Sequence, residues 1–433
     1  MKIKLLFISL FFLFFNSSCI SGIGVNFIYE NIYLSLDKIS NNIKLIKPRQ
    51  LKNIEKIYTY KNYLFISSEN MGIHIIDNSD PKNPINKGFL QIPLNQDISI
   101  KNDVLYADSI NKILAIDISN IDKPSILKDI PFDYSYKIGK FSIDKEKGLE
   151  IGKKKITSYQ VRLINPKYFS LLPAIETQPT NSPLSTGKGG SLARFSIVND
   201  YLYTVTNSDI NVFSLKNEKN PEKIGKVEID KNRADVETIY AYKDKLFMGS
   251  ATGAYIYDNK NPQKPEFISK IEHIRSCDPI VVENDTAYIT LRNGANCRNG
   301  NNQLDVVDIK DLKLPKIIKS YPITNPWGLA IKDSILYVCD YNEGLKIFDA
   351  KESSDLKELK NIQIKTPKDI ILNENNLSII VSDDGIYQYD LANIKTDTKI
   401  EPLSYIKSEK INENENLYPE KEDYYSWYKE YFK

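Results

Sequence analysis

Arginine is rare in this sequence of 433 residues, with seven arginines against 51 lysines, and five of the seven fall between positions 194 and 298. Lysine would maintain charge on a surface equally well, whereas arginine adds a planar fork suited to carboxylate or phosphate. Carboxylates and one tryptophan occur, like these arginines, at or beside the starts of the predicted innermost strands. These residues predict a polar binding site for an unknown protein or a small anionic ligand. The candidates are Arg194, Asp235, Glu237, Arg275, Asp278, Arg292, Trp327 and Asp369.

Two other interpretations of the charged residues stay open. The arginines and carboxylates can pair with one another and serve only to stabilise a crowded part of the fold. Alternatively, acidic side chains can form a metal site, and Ca²⁺ is the ion that best suits all-oxygen ligands. The acidic residues of such a ring would be Asp97, Glu237, Asp278 and Asp369.

Catalytic chemistry has little support in the sequence. The chain has two histidines. His74 lies in a predicted strand, as a packing or solvent-facing residue, and His273 has no serine or cysteine nucleophile arranged with it. We therefore expect no catalytic residue and no cofactor, with a metal-assisted hydrolase as an alternative function.

The elements that position these residues form a repeat of about 42 residues. Each unit has a short first strand, a second strand with an aromatic or apolar anchor, a hairpin, a third strand and a loop that is often marked by proline. Runs rich in Ile, Val, Leu and Tyr, separated by Gly, Asn or Asp, are typical of strands and turns. The anchors are Phe65, Tyr106, Tyr203, Phe247, Tyr288, Tyr337 and Ile379, and the third strands end at Asp77, Asp117, Ser214, Asp258, Asp308, Asp349 and Asp390.

This repeat predicts an all-β fold, a β-propeller of about seven four-stranded blades. One four-stranded sheet cannot bury both faces, whereas seven arranged radially pack on one another. A β-solenoid is the alternative, but its coils are usually shorter. Glycines at 72, 253, 344 and 385 are expected to supply the positive φ of tight hairpins. The predicted propeller covers residues 49–407, and ring closure can borrow a strand from 43–46 or 403–408.

The units resemble the repeat of the bacterial LVIVD-repeat proteins over about residues 50–392. The core of that repeat is a Leu/Val/Ile run that ends in Asp, then Ser or Asn and Pro. Matching runs are Ile-His-Ile-Ile-Asp at 73–77, Leu-Ala-Ile-Asp-Ile-Ser at 114–119, Leu-Asp-Val-Val-Asp-Ile at 304–309 and Leu-Lys-Ile-Phe-Asp at 345–349. The third unit departs from the pattern at Ser214. The resemblance implies a propeller fold and no particular activity.

The first 18 residues have the pattern of a signal peptide. Lys2 and Lys4 precede an apolar run over 5–15, which is too short to span a bilayer. Two serines then precede Cys19, as in a bacterial lipobox, although Asn16 replaces the usual leucine. We expect a lipoprotein anchored through Cys19, with a tether and first strand over 19–48. A conventionally cleaved secreted protein is the alternative.

The net charge narrows the choice of partners. Residues 1–18 hold two lysines and no acid, so the remaining chain has 56 basic and 56 acidic residues. Nucleic acid and anionic lipid surfaces both require a net positive field. We therefore expect no nucleic-acid partner, membrane contact through the lipid anchor only, and a monomer.

Three cysteines remain after Cys19. Cys277 is predicted where the chain enters the first strand of blade five, and Cys297 lies in an insertion in the hairpin of the same blade. Because both positions fall on one rim, we expect a Cys277–Cys297 disulfide in an exported protein. Cys339 lies in a strand and is predicted to be a buried free thiol. A three-cysteine metal site is the alternative, without a CxxC motif to support it.

Two further segments stand outside the repeat. An insertion over 129–188 separates the second and third units, on the same predicted face as the hairpins. The tail over 408–433 is aromatic, and Tyr424, Trp427, Tyr428 and Tyr431 follow the spacing of one helix face. We expect a short C-terminal helix that either docks on the propeller or contacts a partner or membrane interface.

Together these features predict an exported, lipid-anchored binding or scaffold module of the cell envelope. Loops on a rigid scaffold often carry function, so we expect binding through the insertion-bearing face. The protein would lie at the outer membrane or cell surface, or face the periplasm. A surface adhesin and a metal-assisted hydrolase are the alternatives.

Overall fold

The computed structural model describes residues 28–34, 43–68, 71–109, 112–132, 143–144, 148–156, 188–229, 235–272, 279–293, 301–373, 376–397 and 399–409. The regular structure in these ranges consists of β-strands, and seven four-stranded blades form a β-propeller. The predicted fold class is therefore confirmed. Cys19, the Cys277–Cys297 pair and the predicted C-terminal helix lie outside the described residues.

The strands of the first three blades and the segments around them come first in the chain. They are β1 (Ile28–Leu34), β2 (Lys44–Ile46), β3 (Leu51–Lys52), β4 (Ile54–Tyr60), β5 (Tyr63–Ser68), β6 (Gly72–Asp77), β7 (Ile85–Gln91), β8 (Ile98–Lys101), β9 (Val104–Ser109), β10 (Lys112–Asp117), β11 (Ser125–Pro131), β12 (Ile143–Asp144), β13 (Gly148–Ile156), β14 (Lys188–Gly189), β15 (Phe195–Val198), β16 (Tyr201–Val205), β17 (Asp209–Ser214) and β18 (Glu222–Glu228).

Blades 4 to 7 follow without another interruption of comparable length. Their strands are β19 (Tyr240–Tyr242), β20 (Lys245–Ser250), β21 (Gly253–Asp258), β22 (Glu266–Glu272), β23 (Ile280–Glu283), β24 (Thr286–Leu291), β25 (Gln303–Asp308), β26 (Lys316–Pro322), β27 (Pro326–Lys332), β28 (Ile335–Asp340), β29 (Gly344–Asp349), β30 (Lys357–Ile362), β31 (Pro367–Leu372), β32 (Leu377–Ser382), β33 (Gly385–Asp390) and β34 (Ser404–Glu409).

Each blade is an antiparallel meander in which the first strand is innermost. The innermost strands are β4, β8, β15, β19, β23, β27 and β31, and consecutive members contact one another around the ring. We call the end of the propeller where these strands begin, and where the second and third strands of each blade join, the insertion face. The other end, with the turns between first and second strands and the loops between third and fourth, is the opposite face.

The anchors pack between blades, as the repeat predicts. Phe65, Tyr106 and Tyr203 are fully buried, and the other four anchors are buried as well. Two anchors also connect neighbouring blades, because the Tyr106 hydroxyl donates to the Glu218 carbonyl (3.0 Å) and the Tyr203 hydroxyl to the Pro262 carbonyl (2.9 Å). The repeat therefore codes for contacts between blades as well as for the strands within them.

The residue that ends each third strand fixes the turn that follows it. In all seven blades its side-chain oxygen accepts a hydrogen bond from the backbone N–H two residues later, which is the geometry of an Asx turn or its serine equivalent. Serine makes this bond in blade 3, which explains why Ser214 is tolerated there. At the hairpins, Gly72, Gly253, Gly344 and Gly385 all have positive φ, as predicted.

The ring closes through contacts from both ends of the chain. β34 is the fourth strand of blade 7 and reaches Glu409, two residues past the predicted boundary, and β3 pairs in parallel with its outer edge. Buried Asn78 of blade 1 and Gln388 of blade 7 exchange two side-chain hydrogen bonds of 2.8 Å. β2 does not close the ring but adds a fifth strand outside β7 of blade 1.

The insertion contributes regular structure of its own. Part of its Lys/Gly-rich stretch forms β13, which pairs with β1 from the segment after Cys19 and with β12, so these three strands form a separate sheet. This pairing was not predicted, because it joins two segments that lie far apart in the chain. The insertion ends in β14, which returns to the propeller.

Three further observations concern single residues and the membrane. Cys339 is a free thiol with no exposed surface, as predicted. His74 is buried and packs edge-on against Phe89 (4.7 Å between ring centroids), and burial lowers its pKa to about 4. Among the described residues, no helix is long and apolar enough to cross a membrane.

Candidate functional site

The space between the innermost strands of the propeller is occupied by the chain itself. Residues 188–194, which we call the channel segment, connect the insertion to blade 3. β14 at the start of this segment pairs with Tyr58 and Thr59 of the innermost strand of blade 1, and the Lys188 ammonium donates to the Leu372 carbonyl of blade 7 (3.0 Å). The backbone N–H of Ile239 in blade 4 donates to the Ala193 carbonyl (2.8 Å). The segment thus contacts blades on several sides of the ring.

Asp369 holds the middle of the channel segment. Its carboxylate accepts hydrogen bonds from the Ser191 backbone N–H (3.2 Å) and hydroxyl (2.9 Å), and from the Ile370 N–H (3.0 Å). The Ser191 hydroxyl in turn accepts one from the Leu329 N–H (2.9 Å). At Gly190 any Cβ atom would overlap the same carboxylate. Burial raises the pKa of Asp369 to about 6, and its contacts are those of a structural residue.

Arg194 and Asp97 hold the end of the channel segment. The Arg194 backbone N–H and the Lys56 ammonium (3.0 Å) both donate to Asp97. The Arg194 guanidinium is buried and donates to the carbonyls of Val205 (3.4 Å) and Val236 (3.3 Å). These contacts turn Arg194 toward the main chain of its neighbours, which favours the structural interpretation for this candidate.

Glu237 lies near Asp235 and near two of the three candidate arginines, Arg194 and Arg292. Burial and the nearby charge of Asp235 raise the pKa of Glu237, and the charges of Arg194 and Arg292 oppose that shift. Asp235 has a φ of 44°, in the left-handed region that aspartate tolerates better than most residues. The structure thus brings Arg194, Arg292, Asp235 and Glu237 into one electrostatic neighbourhood.

A second group of side chains lies further around the insertion face. The Arg292 guanidinium carbon is 3.8 Å from the centroid of the Trp327 ring, and the Tyr341 ring stacks on Trp327 at 5.4 Å with an interplanar angle of 23°. The Lys368 ammonium is 5.8 Å from the same centroid and forms a 2.5 Å ion pair with Asp383. The Tyr341 hydroxyl also donates to Asp383.

We call Arg292, Trp327, Tyr341, Lys368 and Asp383 the rim cluster. All five are half-buried. The Trp327 indole nitrogen is buried and has no hydrogen-bond partner among the described residues. The cluster therefore combines stacked aromatic rings with two cations at a partly accessible place, unlike the sequestered contacts of Arg194 and Asp369.

Sequence reasoning found part of this arrangement. Arg292 and Trp327 were candidates and lie in direct contact, whereas Arg275 and Asp278 lie outside the described residues, as does His273. It missed Ser191, Tyr341, Lys368 and Asp383. The hairpin position of Tyr341 and the place of Lys368 at the start of an innermost strand were the available signals.

The part of the chain that the structure describes contains no site for the metal ion of the alternative interpretation. No group of three or more His, Cys, Asp or Glu side chains is placed there to hold an ion. Of the predicted ring, Asp97 and Asp369 are occupied by hydrogen bonds to the channel segment, and Asp278 is outside the described residues.

Comparisons with known proteins agree on the fold. No protein-family model matches the chain, and no curated protein matches its sequence. A solved structure of a Lactobacillus plantarum protein is similar over 82% of this chain and 96% of that one, with a TM-score of 0.53 and 12% identity. A periplasmic gluconolactonase of Pseudomonas aeruginosa is similar over the same shares, with a TM-score of 0.50 and 8% identity. At these identities the likeness shows the propeller fold alone.

Proposed function

We propose that this protein is an exported, lipid-anchored β-propeller of the cell envelope that binds a partner through its insertion face. The observation that carries the proposal is the rim cluster, in which Arg292 and Tyr341 both stack on Trp327. A propeller is in general a rigid binding or scaffold fold. The LVIVD resemblance and the lipobox at Cys19 add the bacterial envelope to this proposal.

The composition of the rim cluster supports binding over a purely structural role. Tryptophan, tyrosine and arginine are the residues enriched at the energetic centres of protein interfaces. Here Arg292 and Tyr341 both contact Trp327 and all three are half-buried, so a partner that covers them removes apolar ring surface from water. In contrast, Asp369 is already covered by the channel segment, and Arg194, the last residue of that segment, is buried.

The charges of the cluster indicate the chemistry of the partner. Arg292 and Lys368 place two cations beside the Trp327 ring, and Lys368 forms an ion pair with Asp383. We therefore propose an acidic group on a protein, or a small anionic ligand, as the recognised feature. Arginine can bind such a group through two parallel hydrogen bonds.

The lipid anchor is tested separately from binding. Cells that express the wild type or Cys19→Ser are labelled with palmitate, and protease is added to intact cells. Label on the wild type alone supports the anchor, and absence of label on both contradicts it. Cleavage of the labelled protein by external protease favours the cell surface and the adhesin alternative, whereas protection favours the periplasm-facing position.

Binding is tested with a photo-crosslinking side chain at one of two exposed positions of blade 5. Asn293 lies beside Arg292 at the insertion face, and Asp285 lies in the turn between the first two strands, at the opposite face. We expect a discrete crosslinked product in intact cells from position 293 and none from position 285. Equal products from both positions, or no product from either, would contradict the proposal.

A further inference from the structure

A cavity of about 280 Å³ opens on the opposite face, between blades 6 and 7. Ile335 and Tyr337 line it from blade 6, and Leu372 and Ser378 line it from blade 7. The loop between the third and fourth strands of blade 7, residues 391–396, forms another side. This volume lies just below the range of pockets that hold drug-sized molecules, so the space suits a smaller ligand.

Ser378 breaks the pattern of the repeat at this cavity. It is the residue immediately before the anchor of the second strand, and the other blades have an aliphatic side chain there. The seven residues at this position are Leu64, Leu105, Leu202, Leu246, Ala287, Leu336 and Ser378. Ser378 is 1% exposed, and its hydroxyl has no hydrogen-bond partner among the described residues. A buried hydroxyl without a partner costs free energy, so a role for it is expected.

Charged side chains surround the opening of the cavity. The Lys332 ammonium donates to the Asn373 carbonyl and to the Asn376 side chain, both at 3.0 Å. The exposed Lys395 forms a 2.6 Å ion pair with Asp349. With the exposed Asp333, the lining has two cations and one carboxylate. The lining therefore combines an aliphatic wall, a buried hydroxyl and a charged opening, in which Lys395 is paired with Asp349 and the Lys332 ammonium is bonded to neutral oxygens.

The equivalent place between blades 1 and 2 provides an internal comparison. A cavity of about 480 Å³ lies there, lined by Tyr60, Lys61 and Asp103 among others. Its charged groups are paired with each other, since Lys61 and the Tyr60 hydroxyl both donate to Asp103 (2.6 and 3.2 Å). The residue equivalent to Ser378 is Leu105, which is fully buried. Both places therefore contain a cavity, but the buried Ser378 hydroxyl, which has no partner among the described residues, lies at the smaller one.

We propose that the cavity between blades 6 and 7 binds a small organic acid with a short apolar body and a second polar group. The apolar body packs on Ile335 and Leu372, the carboxylate lies toward Lys332 and Lys395, and the second polar group exchanges a hydrogen bond with the Ser378 hydroxyl. This site is on the other face of the propeller from the rim cluster and does not depend on the function proposed above.

The test compares two probe acids by calorimetry and ligand-observed NMR on the soluble chain without residues 1–18 but with the propeller intact. 5-Oxohexanoate carries a carboxylate and a ketone, whereas hexanoate carries the carboxylate alone. We expect both to bind the wild type, with 5-oxohexanoate at least fivefold tighter. In Ser378→Ala the two affinities should become equal, because the partner of the ketone is gone.

Ser378→Leu restores the residue type of the repeat and separates function from folding. We expect it to abolish binding of both probes and to raise the midpoint of thermal unfolding, because the leucine side chain fills the cavity. Lys61→Gln, in the cavity between blades 1 and 2, should leave both affinities unchanged. Failure of both probes to bind the wild type, an unchanged preference in Ser378→Ala, or loss of binding in Lys61→Gln would each overturn the proposal.

Discussion

Two parts of the insertion face use the same residue types in opposite ways. Around the channel segment, Arg194 and Asp369 are buried and their polar atoms bond to backbone and serine groups of the same chain. In the rim cluster, Arg292 lies on the Trp327 ring, Asp383 pairs with Lys368 and accepts a hydrogen bond from the Tyr341 hydroxyl, and Arg292 and Asp383 both remain half-buried. A charged residue near a propeller axis is therefore not in itself a binding residue; what its atoms already contact decides its role.

The largest loss of stability is expected from Asp369→Ala, which removes a carboxylate that holds the channel segment. It leaves the Ser191 N–H, the Ser191 hydroxyl and the Ile370 N–H without their acceptor in a buried place. We expect the free energy of unfolding to fall by about 3 kcal/mol, measured by urea denaturation. Asp383→Ala is the matched control in the rim cluster and should cost about 1 kcal/mol or less. Equal losses in the two variants would contradict the distinction.

The pH dependence of stability gives a second test. Asp108, in the second strand of blade 2, is buried like Asp369, and its carboxylate accepts hydrogen bonds from the Gln96 and Asp97 backbone N–H groups. Burial raises the pKa of both aspartates to about 6 in the folded protein, against 3.8 for an ordinary aspartate. Between these values the folded state binds protons that the unfolded state does not. These two groups should therefore make the protein more stable as the pH falls from about 6 to 4, and less stable as it rises, by up to about 1.4 kcal/mol per pH unit for each group.

The variants Asp369→Asn and Asp108→Asn should each flatten this part of the curve of unfolding free energy against pH. Asp103→Asn, a carboxylate on the opposite face that pairs with exposed Lys61, is the control and should leave the slope between pH 4 and 6 in place. A slope that survives both Asp108→Asn and Asp369→Asn would mean that neither carboxylate is sequestered as described.

The smallest expected effect on stability comes from the ion pair of the rim cluster. Lys368 and Asp383 are 18% and 10% exposed in their side chains, so the desolvation cost of the two charges offsets much of their attraction. The Tyr341 hydroxyl also donates to Asp383 and stays in place when Lys368 is replaced. Lys368→Met should change the free energy of unfolding by less than about 1 kcal/mol while it weakens crosslinking from position 293. A loss above about 2 kcal/mol would place Lys368 with the structural group.

The sequence was sufficient to predict the repeat because the repeat is local. Anchors, third-strand ends and hairpin glycines recur at fixed offsets, and each has a short-range reason to be where it is. The Asx turn after Asp308, for example, needs only the residue and the backbone two positions later. Seven copies of such local signals determined both the fold class and the position of each blade.

The channel segment was not predictable in the same way. Lys188 and Gly189 lie at the end of the predicted insertion, yet they pair with Thr59 and Tyr58, which lie about 130 residues earlier. Asp369 meets Ser191 across 178 residues. No short pattern encodes such a pairing, so the sequence left two interpretations of Arg194 and Asp369 open. Of the five residues of the rim cluster, only Arg292 and Trp327 were predicted from the sequence. The reason is the same, since Tyr341 and Asp383 come from hairpins of different blades.

The division of the insertion face into a structural and a binding part is tested most directly by comparing Arg194→Gln with Arg292→Gln. Both variants change one arginine of the same face in the same way. Each variant is measured for its free energy of unfolding and for the crosslinked product from position 293. We expect Arg194→Gln to lose about 2 kcal/mol of stability and, while folded, to keep the product. We expect Arg292→Gln to stay within about 1 kcal/mol of the wild type and to lose at least roughly nine-tenths of the product. The reverse result, a stable Arg194→Gln without the product and an unstable Arg292→Gln that retains it, would contradict the division of the insertion face into a structural and a binding part.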